Sequence, residues 1–258
     1  MKWEDLTSTD FKKAVKETKV CILSLGVIEK HGEHLPLGTD MINAYRISCM
    51  AAEKESAVVF PQFYFGQINE ARCFPGTIAI GPKVLFDLLY EVVEEIGRNG
   101  FQKIIFYNGH GGNADFLRYF NQCTLSEEKS YYLYGYRPKW DIYKDIMEEE
   151  INHSGEWETS VVLGHAEELV KMERIPEKRV ESLKRMESIP NTNTGICFYS
   201  EYPEHYCGDA KLASVEKGKI ILQRESDELA KYIANVKADD VVPSLNKEFF
   251  ERSRKIIE

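Results

Sequence analysis

The chain has 258 residues, 43% hydrophobic and 29% charged, with a net charge of -9 and an isoelectric point near 5.4. Those proportions belong to a globular protein with enough residues to bury a substantial core, in one large domain or two small ones. The Lys and Arg residues are scattered and form no basic stripe, which excludes a nucleic-acid binder that tracks phosphates.

No apolar run approaches the roughly 20 residues a membrane span needs. The opening Met1–Leu6 shows no charged segment followed by an apolar stretch, so no secretory leader and a cytoplasmic location are expected. Six cysteines stand singly (Cys21, Cys49, Cys73, Cys123, Cys197, Cys207), the pattern of free thiols in a reducing compartment. Without repeats or Pro/Gly/Ser linkers, residues 1–258 read as a single domain.

Apolar β-rich runs alternate with helical patterns along the chain. Val20–Leu25 reads as a buried strand, Asp40–Lys54 as a helix, and Ala57–Phe60 as a short strand ended by Pro61. Val84, Leu85, Leu88, Leu89, Val92, Val93 and Ile96 recur at helical spacing within Pro82–Asn99, which stops at Gly100. A strand over Lys103–Asn108, a helix over Asn113–Gln122 and a strand over Tyr131–Tyr136 follow. Helices are expected over Lys139–Asn152, Glu158–Lys171 and Ser214–Val236. Strands separated by helices imply right-handed crossovers and a mostly parallel sheet covered on both faces. Ligands in such folds sit outside the carboxyl ends of the strands.

Three segments carry candidate chemistry. Glu29–Asp40 packs His31, His34 and several carboxylates into twelve residues directly after a strand. Carboxylate oxygens and imidazole nitrogens on one loop form a ligand set for a divalent metal, although a solvated acidic loop has the same composition. Pro36 constrains the chain beside His34, which therefore ranks below His31 as a ligand. Asn108-Gly109-His110-Gly111-Gly112-Asn113 fixes His110 in a tight turn at a strand end, or is simply a glycine turn with a satisfied histidine. Its spacing is not that of a phosphate-binding loop. In His153–Ser160, His153 suits general acid/base work and Glu158 can be a ligand or can orient one. Helix capping by Ser154 and Thr159 is the plainer reading there. His165 reads as a surface residue of a helix, and His205 as part of a Tyr/Pro loop that can line a pocket.

Together these segments resemble the creatininase family. The family pattern runs E-Q-H-G-P-H-L-P-L-x-T-D, N-G-H-G-G-N and H-A-G-x-x-E-T-S. This chain has E-K-H-G-E-H-L-P-L-G-T-D, N-G-H-G-G-N and H-S-G-E-W-E-T-S in the same order. Phe74–Ile78 is similar to the family's F-P-G-T-I/L turn, and Gly208–Gly218 to its G-D-x-x-x-A-S-x-E-K-G segment. The resemblance implies a three-layer α/β/α sandwich with a mostly parallel central sheet and two divalent metal ions per chain. It also implies hydrolysis of a non-peptide C–N bond in a small-molecule amide by a metal-bound hydroxide. Carried over by position, Glu29, Asp40 and His110 are ligands of one metal, and His31 and Asp40 of the other, with Asp40 bridging. His153 then stands near the substrate as the catalytic acid/base. The oxygen and nitrogen ligand set suits Zn, Mn or Fe. A homo-oligomer, in this family a hexamer, is expected with it.

The chain departs from creatininase itself at Gly112, where that enzyme has a carboxylate for the second metal; Glu158 is the expected replacement. Lys30 and Glu33 stand where the pattern has Gln and Pro. The alternatives are a deformylase of a formamidopyrimidine-type nucleotide, using Arg46, Arg72, Arg118 or Arg137 for phosphate, and a non-catalytic member of the family.

Overall fold

The computed structural model describes residues 1–256 except 137 and 139. Four strands, β1 (Val20–Leu25), β2 (Val58–Val59), β3 (Lys103–Asn108) and β4 (Tyr132–Tyr136), form one all-parallel sheet in the order β2-β1-β3-β4. β1 and β3 pair along their whole length, from Val20 opposite Lys103 to Leu25 opposite Asn108. The loops leaving these two strands therefore emerge side by side at the carboxyl edge.

The eight α-helices among the described residues are α1 (Ser8–Thr18), α2 (Thr39–Lys54), α3 (Pro82–Arg98), α4 (Ala114–Cys123), α5 (Glu156–Ala166), α6 (Cys197–Glu201), α7 (Val215–Ala238) and α8 (Val241–Ser253). The pleat sends alternate residues of each strand to opposite faces. Val20, Ile22, Ile105 and Tyr107 pack with residues of α2, α5 and α7 in one core. Cys21, Leu23, Ile104 and Phe106 pack with α1, α3 and α4 in a second. Two separate cores on the two faces of one sheet are the expected three-layer α/β/α sandwich.

α5 and α7 cross at backbone contact. A Cβ built on Gly218 would lie 1.8 Å from the Ser160 carbonyl oxygen, and one on Gly164 would meet the Gly218 backbone at 2.7 Å. Only glycine fits at this crossing. Gly218→Ala is expected to destabilise the fold by about 3 kcal/mol or more, the upper range for overpacking. Urea unfolding within about 1 kcal/mol of wild type would show that the helices do not cross this closely.

Several sequence expectations need correction. The helix expected over Lys139–Asn152 begins on a residue outside the described set, and the described part forms no α-helix. Trp140–Tyr143 forms one 3-10 turn and the rest is irregular. The backbone N–H groups of Glu148 and Glu149 donate to the Glu156 carboxylate at 2.9 and 3.1 Å instead of to carbonyls one turn back. Trp140 and Tyr143 pack around Trp157 rather than along a helix face. α5 begins two residues before the expected Glu158 and ends at Ala166, short of Lys171. α1, α6 and α8 are additions; α1 opens on a Thr7 side chain that accepts the Asp10 N–H. All six cysteines are free thiols.

Candidate metal centre

The sequence places the candidate ligands on three loops, and the parallel sheet brings those loops together. Glu29 and His31 follow β1, His110 follows β3, Asp40 lies in the first turn of α2, and Glu158 in that of α5. α2 can reach the β3 loop because Gly109 has no side chain: a Cβ there would lie 2.6 Å from the Asp40 carbonyl oxygen. Glu29, His31, Asp40 and His110 are all at most 6% exposed. Buried charge of this density requires compensation.

Two clusters share Asp40. In the first, Glu29 Oε1 and Asp40 Oδ2 lie 2.9 and 3.0 Å from His110 Nδ1. Neither contact has hydrogen-bond geometry, and both oxygens are buried without a partner. In the second, His31 Nε2 is 3.0 Å from Asp40 Oδ1 and 3.6 Å from Glu158 Oε2. Each cluster offers three ligand atoms within 4.8 Å of one another. In the first cluster, carboxylate oxygens that converge on an imidazole nitrogen without a hydrogen bond fit the donor set of a divalent cation.

Backbone carbonyls orient both imidazoles. His110 Nε2 donates to Gln67 O at 2.8 Å and His31 Nδ1 to Glu29 O at 3.3 Å, since a carbonyl can only accept. The other nitrogen of each ring then faces the carboxylates. Gln67 is itself held by Asn113, whose Oδ1 accepts the Gln67 N–H at 2.8 Å. Such outer contacts fix the tautomer and aim of a metal-ligating histidine.

The electrostatics agree. Burial opposes charge on His31, but Asp40 and Glu158 outweigh it and raise its pKa to about 10. His110 is driven well above the ordinary histidine range against its burial by Glu29 and Asp40. Burial raises Glu29 as well, yet the charge and close contact of His110 and the hydrogen bond from His205 hold it well below the usual carboxylate range. Without a cation, protons gather on the ring nitrogens where ligand atoms converge; a metal would displace them. Glu158 is raised to about 7 by burial, with His31 pulling the other way.

His153 lies on the cavity wall, partly open to it. Its ring sits 4.4 Å from both His31 and His205, and its Nε2 donates to Lys30 O at 3.0 Å. Burial first and the nearby His31 second lower its pKa to about 3, so the ring is neutral. Phe198 of α6 packs on both His153 and His205. The centre opens into a cavity of about 1060 Å³ walled by Tyr107, Trp157 and Phe198 and lined also by Glu70, Asp115 and Arg118.

His205 has a role that its sequence context did not reveal. It is 2% exposed and its Nε2 lies 2.7 Å from Glu29 Oε2, the oxygen turned away from His110. Nothing in a lone histidine 176 positions from Glu29 announces that contact. His205→Asn tolerates the left-handed backbone at this position (φ 55°) but withdraws the imidazole. It is expected to weaken metal binding about 10–100-fold in chelator competition, the usual cost of losing a partner that orients a ligand. Unchanged affinity would remove His205 from the centre.

Other expectations are revised. His165 is not a surface residue: it is partly buried, with Nε2 3.1 Å from Asn43 Oδ1, and burial lowers its pKa to about 4. His34 joins neither cluster; its Nε2 meets Thr159 Oγ1 at 2.9 Å. Gly155, whose side chain is a hydrogen, occupies the N-cap of α5, so neither Ser154 nor Thr159 caps it. Lys30 and Glu33 pair with each other at 2.8 Å. A Cβ on Gly112 would lie 2.5 Å from His110 Nε2, so a carboxylate-bearing residue there would displace the His110–Gln67 contact.

Known proteins share both the sequence pattern and the fold. A family model described as creatinine amidohydrolase matches residues 4–233. A creatinine amidohydrolase from Pseudomonas putida is 24% identical over 79% of this chain and 84% of its own length. A mycofactocin precursor peptide peptidase from Mycobacterium ulcerans is 28% identical over 83% of this chain and 84% of its own length. A mutant creatininase complexed with creatine shares the fold with a TM-score of 0.80 at 21% identity, covering 92% of this chain and 99% of that one. Two further creatininase structures of this fold are described as a Zn-Zn type and a Mn form.

Proposed function

The chain belongs to the creatininase family of hydrolases acting on carbon–nitrogen bonds, and on that premise we propose that it is a metal-dependent amidohydrolase. Its substrate in this reading is a small-molecule amide, cyclic or a formamide, cleaved at a non-peptide C–N bond. The observation that carries the reading is the shared Asp40, one oxygen in each of two ligand clusters. Glu29, Asp40 and His110 would hold one divalent ion, and His31, Asp40 and Glu158 the other. Bound there, divalent ions lower the pKa of a water and polarise a carbonyl.

The remaining work falls to the chain's own groups. Lys30 O keeps the His153 proton on Nε2, which leaves the Nδ1 lone pair to take a proton and later return it to the leaving nitrogen. A neutral ring suits the first of these steps. Phe198 and Trp157 supply apolar wall on this side of the cavity, and Phe198 packs against the His153 ring.

The described lining favours the amide reading over a nucleotide deformylase. Of the four candidate arginines, Arg118 lines the cavity, Arg46 and Arg72 do not, and Arg137 lies outside the described residues. Apart from the ligands, Glu70, Asp115 and Glu225 line the cavity with one guanidinium, Arg118, among the described residues. A neutral or cationic substrate suits such walls better than a phosphate ester. Five candidate groups lining one cavity, with His31 packed behind them, also speak against a non-catalytic scaffold. Assembly as a homo-oligomer and a cytoplasmic location accompany this reading as proposals.

Elemental analysis of protein purified without added metal or chelator tests the reading. Two ions per chain are expected in the wild type and one in Glu158→Ala, with hydrolysis of cyclic-amide and formamide substrates lost in the variant. A single ion, unchanged by the substitution, would overturn the two-ion assignment.

A further inference from the structure

His34 belongs to the ligand-rich loop yet touches neither cluster, and it is almost completely buried, at 1% exposure. A buried imidazole with no ligand role needs another reason to be there. Its surroundings supply one. Nε2 meets Thr159 Oγ1 at 2.9 Å, while Nδ1 has no partner. The less costly arrangement places the proton on Nε2, which donates to Thr159, and leaves Nδ1 a bare acceptor. Tyr206 closes the other side of the ring at 5.6 Å.

Thr159 follows Glu158 in the first turn of α5. Its hydroxyl accepts from His34, so its own proton is free to point at Ser154 O, 3.4 Å away. Ser154 stands in the left-handed region (φ 61°), which a residue with a side chain rarely adopts. Such a conformation persists only where its surroundings enforce it. In it, the Ser154 N–H donates to Glu158 Oε2 at 2.6 Å. The same oxygen is the one 3.6 Å from His31 Nε2. A relay thus runs from His34 through Thr159 and the strained turn to the carboxylate.

We propose that His34 is a positioning residue for the second ion cluster, acting through Thr159 and Ser154 to hold Glu158 at His31 and Asp40. This rests on the two-ion reading above. In it the carboxylate comes from a helix start, and a buried histidine on the loop after β1 fixes that start. The two sides of the second cluster are thereby held by one loop.

The test is Zn2+ titration under chelator competition on wild type, His34→Leu, His34→Gln, Thr159→Val and Thr159→Ser, with a thermal melt of each metal-free protein. Loss of the relay is expected to weaken the second ion about 10–100-fold in His34→Leu and Thr159→Val. The first ion should bind as in wild type. His34→Gln, which keeps an N–H donor, and Thr159→Ser, which keeps the hydroxyl, should restore most of the second affinity. A merely structural role would lower the melting temperature without separating the two ions, and would show no rescue by donor or hydroxyl. Should His34→Leu not fold, Thr159→Val tests the same contact from its other end. Two ions of wild-type affinity in folded His34→Leu or Thr159→Val would overturn the proposal. A wild type that binds one ion would instead overturn the two-ion reading on which it rests.

Discussion

Asp40→Ala protein is expected to purify without either ion and to hydrolyse amides at less than about a thousandth of the wild-type rate, the scale of losing a group that acts on the transition state. Asp40 is the one residue whose two oxygens serve both clusters, Oδ1 toward His31 and Oδ2 toward His110, each at 3.0 Å. Its removal leaves two donor groups in each cluster, too few to compete with water for a divalent ion. The substitution also deletes a buried carboxylate beside two imidazoles whose pKa values it raises. Both histidines should then lose part of their raised proton affinity, the rest being held by Glu29 and Glu158, which NMR titration of their ring protons would detect. Asp40→Asn separates charge from shape: it retains one acceptor oxygen but cannot bridge two cations. Full metal content in either variant would refute the bridging assignment.

A different signature is expected from His153→Ala. This variant should keep its metal, because His31, Asp40, His110 and Glu158 stay in place, but lose about 10²–10⁴-fold in kcat, the usual contribution of a general acid or base. Loss of metal together with activity would instead make His153 a ligand. That outcome is geometrically meaningful, since Glu29, His31 and His153 also place ligand atoms within 4.8 Å of one another. Comparing kcat with KM sharpens the test. A proton-transfer role lowers kcat at constant metal content, whereas loss of a wall residue raises KM.

The contrast between the two variants follows from hydrogen-bond partners more than from distance. His31 and His110 each turn one nitrogen to a backbone carbonyl and the other to carboxylates. His153 turns one nitrogen to a carbonyl as well, but packs its ring face among other aromatic rings. Three histidines of one cavity are thus sorted by what their second nitrogen meets.

Much of this molecule was legible in its sequence. The strand cores β1 and β3, the helices α2, α3, α4 and α7, and the parallel order of the sheet follow from local apolar periodicity and from helices that separate strands. Glu29, His31, Asp40 and His110 could be named because each lies in a short motif directly after a strand or at a helix start, where a parallel sheet gathers its loops. What sequence could not supply was everything fixed by contacts between distant segments. The stretch 140–152 lost its expected helix to the Glu156 carboxylate, which takes two of its backbone N–H groups. His205 reached Glu29, and His34 reached Thr159, across 176 and 125 positions of chain. Periodicity records which face of a segment is apolar; it holds no information on which buried polar groups meet. Residue types and their spacing therefore determined the fold class and a set of candidate ligands, while the packing of loops against one another decided which ring nitrogen faces the carboxylates, which histidine meets a carboxylate and which meets a hydroxyl at a helix start.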